Sequence, residues 1–81
     1  MSTNNLSYYS QRVVDSQGLI HKMMITALRN YINNTPISQI LNEIDEIYTS
    51  AQLKALWEAG LNTTLQDAVM KRLEQIRTRR D

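Results

Sequence analysis

The sequence predicts an all-α protein, a small bundle of about four helices whose exposed surface is suited to dimeric association. Three observations carry that reading. Glycine occurs twice and proline once in 81 residues, so little in the chain interrupts a helix. Leucine, isoleucine, alanine, glutamine, arginine and methionine fill the regular stretches, and apolar residues recur at intervals of three and four rather than two. The apolar fraction of 42%, against 21% charged, belongs to a folded globular chain and not to a disordered one.

Residues 1–7 are polar, small and aperiodic, and they read as a flexible leader before a single helical domain over 8–81. Residues 8–32 read as one long helix. Val13, Ile20, Met24, Ala27 and Tyr31 recur at helical spacing, and Leu19, Met23 and Leu28 widen the stripe beyond what one short neighbour covers. Gly18 lies inside this pattern at a cost of about 0.5–1 kcal/mol relative to alanine, and marks where a kink, a close contact or a break would fall.

Asn33-Asn34-Thr35-Pro36 is the clearest boundary, with Thr35 placed to cap the next helix and Pro36 suited to its first position, where a missing N–H costs nothing. A second helix is expected over 36–48. Its stripe is Ile37, Ile40, Leu41, Ile44, Ile47 and Tyr48, and Asn42, Glu43, Asp45 and Glu46 are expected to face water. Thr49-Ser50-Ala51-Gln52 spells a capping box, with Tyr48 and Leu53 spaced as its hydrophobic staple, so a third helix is expected over 50–60. Leu53, Leu56 and Trp57 form its inner side, and Gly60 followed by Leu61 ends it. Thr63 or Thr64 then caps a fourth helix over 64–77, whose inward positions are Leu65, Ala68, Val69, Arg72, Leu73 and Ile76.

The chemistry-bearing residues are few. There is no cysteine and a single histidine, His21, without a second ligand at metal-binding spacing, so neither metal nor cofactor is expected. Two glycines and one histidine give no phosphate cradle and no expected serine–histidine–acid set, and the chain does not read as an enzyme. A net charge of +1 gives no global reason to bind nucleic acid or an acidic ligand. Neither a secretory leader nor a run of about 18 apolar residues stands out, so a cytoplasmic protein without membrane insertion is expected.

Function is therefore sought on helix faces. The reading favoured by the excess of apolar positions is a protein–protein interaction module, a regulator, adaptor or inhibitor meeting a larger protein or a copy of itself. Tyr8, Tyr9, Val13, Leu19, Met23 and Tyr31 are the candidate interface residues. The alternative is a DNA-binding regulator using residues 50–80, with Lys71, Arg72, Arg77, Arg79 and Arg80 as the nucleic-acid contacts. Two short helices joined through Ala59-Gly60-Leu61-Asn62 resemble a helix-turn-helix, and Leu61 and Val69 agree with that family's packing pattern. Leu56 and Gln66 depart from it, where a small and an apolar residue are usual.

Overall fold

The computed structural model describes residues 4–78 and shows five helices: α1 (Asn5–Asp15), α2 (Gly18–Asn33), α3 (Ile37–Ile44), α4 (Ser50–Ala59) and α5 (Thr63–Thr78). Helix α1 packs against α2, α3 and α4, and α5 closes the other side against α3 and α4. Leu6, Val13, Leu28, Ile40, Ile44, Ile47, Leu53, Leu56 and Val69 meet in one fully buried core. Each such side chain contributes about 1.5–3 kcal/mol relative to exposure.

The expected long helix over 8–32 is two helices. At the junction Ser16 is extended (φ −101°, ψ 160°), and both its N–H and its hydroxyl donate to Val13 O, at 3.3 and 2.9 Å, closing α1. Gly18 then takes φ +65°, a left-handed value that side chains disfavour, and this lets the chain reverse into α2. The break folds one face of the apolar pattern onto the other, which places Val13 in the core.

The leader expected over 1–7 is likewise corrected from Asn4 onward. Asn4 caps α1, its Oδ1 accepting from Ser7 N at 2.9 Å, and its Nδ2 donates to Glu43 O at 3.0 Å. Leu6 is fully buried one residue into the helix. Thr35 closes α2 rather than opening α3, because its hydroxyl donates to Tyr31 O, and Pro36 is the residue before α3. Helix α3 ends at Ile44, four residues short of the expected 48. Asp45, Glu46 and Ile47 continue as tight turns, and Ile47 O, which a longer helix would offer to residue 51, accepts from Arg72 Nε at 2.8 Å instead.

Thr49 caps α4 as expected, accepting from Gln52 N. Gln52 Oε1 accepts in return from the Thr49 hydroxyl at 2.6 Å, in place of the Thr49 N–H of a capping box. The Gln52 amide donates to Ser7 O at 3.0 Å and Ser7 Oγ at 2.9 Å, a buried polar tie from α4 to α1. Gly60 ends α4 at φ +94°. Asn62, not Thr63 or Thr64, caps α5, its Oδ1 accepting from Leu65 N at 2.9 Å. Trp57, expected inside, is 37% exposed, and Ala55 and Ala59 are buried beside Leu56.

Candidate interaction face

Helix α2 buries only Leu28 and Ile32 fully, so most of its circumference is left to the solvent or to its flanks. Leu19, Ile20 and Met23 are 79%, 60% and 63% exposed. They are contiguous, because Leu19 and Met23 stand four residues apart and Ile20 and Met23 three, spacings that put side chains on one face. Ala27 extends that face by another turn. Scattered exposed apolar residues are ordinary on any protein, whereas a joined group on one helix is the arrangement found at contact sites.

Helix α1 supplies the margin. Tyr8 is 53% exposed and meets Tyr9 edge-on at 5.3 Å between ring centroids, and Tyr9 packs on Tyr31 of α2 at 5.2 Å. Arg12 lies over the Tyr8 ring at 5.7 Å and donates from Nε to Met24 Sδ at 3.3 Å, bridging the two helices. Between them runs an open groove lined by Arg12, Asp15, Ser16, Gln17, Ile20 and Met24. Of the interface residues named from sequence, Leu19, Met23 and Tyr8 are exposed, Tyr9 and Tyr31 are half-buried against each other, and Val13 is a core residue.

Tyr31 is tied down from beneath. Its hydroxyl donates to Glu43 Oε1 at 2.7 Å, and burial followed by this bond raises its pKa above the usual 10. Glu43, expected on the water-facing side of its helix, is buried. It accepts from Leu6 N at 3.1 Å, from Tyr31 and from Gln39 Nε2 at 3.0 Å. Only donors surround it, which is what a carboxylate can satisfy, and it stands at the N-terminus of α1, where a helix favours negative charge. Glu43 and Glu46 stand three residues apart beside the same apolar stripe, so no local pattern marks Glu43 for this role.

A serine, a histidine and an acid do come together at the α1–α2 junction, contrary to the expectation from sequence. His21 Nδ1 lies 3.1 Å from Ser16 Oγ and Nε2 lies 2.9 Å from Glu58 Oε2 on α4. Ser16 spends its proton on Val13 O, so its oxygen accepts from Nδ1–H, and Glu58 accepts from Nε2–H. The set is satisfied in full when the ring carries both protons. His21 accordingly has a raised pKa, chiefly through the Glu58 bond, and clamps the junction to α4.

The basic residues of the alternative reading are dispersed. Arg72 is buried: besides Ile47 O it donates to Gln75 Oε1 at 3.0 Å, and its guanidinium lies 5.0 Å over the Tyr48 ring. Tyr48 itself is exposed where it meets Arg72. Lys71 and Arg77 are exposed on α5, and Asp67 and Glu74 share that exposed side. Arg79 and Arg80 lie outside the described residues. Among the described residues no three His, Cys, Asp or Glu side chains gather as a metal site, and no helix is long and apolar enough to cross a membrane. Compared with known proteins, the chain matches no family model, no curated protein and no solved structure.

Proposed function

We propose that this protein is a small interaction module that regulates, adapts or inhibits another protein by docking through the exposed apolar face of α2. The observation that carries this is the joined exposure of Leu19, Ile20 and Met23 on a helix that already contributes Leu28 and Ile32 to the core. Apolar surface left in water forgoes about 25 cal/mol per Å² of burial, so a face of this kind is stabilising only when something covers it. Tyr8 and Arg12 at its margin are residue types enriched where partners bind most tightly.

The DNA-binding alternative draws less support, because Arg72 is committed to the fold and acidic residues interleave the cations of α5. The test is site-specific photo-crosslinking in the host cell, with the reactive side chain at position 23 of α2 or position 70 of α5. Both positions are exposed methionines, so they differ in face and not in access. Adducts from position 23 that exceed those from position 70 are expected. Equal yields, or a larger yield at position 70, refute the assignment of the α2 face.

A further inference from the structure

The exposed side of α2 carries an exposed leucine, Leu19, and a shallow depression. The depression, of about 420 Å³, is lined by Met23, Thr26, Ala27 and Asn30, with Lys22 at its rim. These four occur at i, i+3, i+4 and i+7, the spacing of the hole that receives one side chain from a facing helix. Ala27 forms the floor, since its methyl group leaves the space that a longer side chain would fill. Leu19 stands on the same face, two turns nearer the N-terminus. At 3.6 residues per turn it points within about 30° of the hole's centre, and it lies about 11 Å away along the axis.

A knob and a hole on one face, offset along the axis, are satisfied together by an antiparallel copy of the same helix. We infer that α2 pairs with α2 of a second copy, Leu19 of each filling the Met23–Thr26–Ala27–Asn30 hole of the other. The arrangement is closed and two-fold, with its axis beside Met23. It names the occupant of the α2 face and rests on the function proposed above. The two Met23 side chains meet at the axis, where an unbranched thioether adapts to its own image, and Ile20 covers the flank of the second copy's Ala27. Lys22 lies beside the axis on both copies and opposes the contact. Three large apolar side chains and an alanine fall short of the ~800 Å² per partner of a standard stable complex, so the dimer is weak and forms at high concentration.

Sedimentation equilibrium of the purified chain, from micromolar to about 1 mM, reads the constant directly. Leu19→Glu and Ala27→Leu are expected to loosen the dimer at least about tenfold, the first by burying an unpaired carboxylate and the second by filling the hole. Lys22→Ala is expected to tighten it several-fold, opposite in sign to the other two, and circular dichroism checks that each variant keeps its helices, which sets aside association through an unfolded core. A chain that stays monomeric throughout, a dimer indifferent to both loosening variants, or a looser dimer with Lys22→Ala overturns the pairing. If the chain is monomeric while position 23 still forms adducts with another protein in cells, self-pairing fails and the interaction face stands. If neither dimer nor adducts form, both fail.

Discussion

Replacing Glu43 by alanine tests the polar node that holds α1, α2 and α3 together. The substitution strands two donors: Leu6 N–H, which has no intrahelical acceptor in the first turn of α1, and the Tyr31 hydroxyl. Gln39 is exposed and turns to water at little cost. A buried backbone donor without a partner costs about 1–3 kcal/mol, and hydrogen bonds to a charged group contribute about 1.5–3 kcal/mol each. With Tyr31 half-buried the sum is about 3 kcal/mol. A chain of 81 residues has roughly 4–12 kcal/mol in all, so the loss is a large share. At about 4–8 °C per kcal/mol for a domain of this size, the melting temperature drops by about 12–24 °C, read by far-UV circular dichroism alongside urea unfolding. Glu43→Gln keeps an acceptor for Leu6 and loses about half as much. Glu46→Ala is the control: Glu46 is also acidic and nearby, but it is exposed, and among the described residues its side chain accepts only from Asn4 Nδ2 at 3.1 Å. A Glu43→Ala loss no larger than that of Glu46→Ala refutes the reasoning.

Two further outcomes are expected. Gly18→Ala meets no atom within 4 Å, so its whole cost is the left-handed backbone at φ +65°, about 1–2 kcal/mol in urea unfolding; a neutral or stabilising substitution refutes that backbone assignment. Titrated by NMR, His21 shows a pKa above its ordinary 6.5, which falls when Glu58 is replaced by glutamine. Because the folded value is the raised one, the clamp's stabilisation is complete below about pH 6.5 and is lost as the pH rises through the folded value. A His21 pKa unchanged by Glu58→Gln would show that the pair does not form in solution.

What was legible in the sequence was whatever depends on neighbours along the chain. The periodicity located helical segments, Thr49 and Gly60 marked the ends of α4 through local chemistry, and Ile37 to Ile47 read correctly as mostly inward. What failed depends on contacts distant in sequence. Glu43 is buried because Leu6 and Tyr31 bring donors from other helices, and Arg72 is buried because Ile47 O needs one. No periodic pattern distinguishes such residues from solvated ones. The same holds for Ser16, His21 and Glu58, which are five and 37 positions apart and meet only once Gly18 has turned the chain. The break at Gly18 was visible as a weakness, but a glycine tolerated inside a helix and one required at positive φ look alike in sequence.

The break at Gly18 leaves α2 with an apolar face that the fold itself does not cover. Had residues 8–32 formed one rod, its wide stripe would call for several neighbours, and its breadth alone would be weak evidence for a partner. Once the chain folds back, Val13 is consumed by the core, Met24 meets Arg12 and Tyr31 meets Tyr9 and Glu43, so much of the stripe is accounted for internally. Tyr48, exposed elsewhere on the surface, rests on Arg72. Of that stripe, Leu19, Ile20 and Met23 are the large side chains left exposed. At 79% exposure Leu19 adds almost nothing to folding, so a polar residue there would serve the monomer equally well. An apolar side chain that folding does not need, beside a depression that folding does not fill, is what the α2–α2 pairing inferred above would cover.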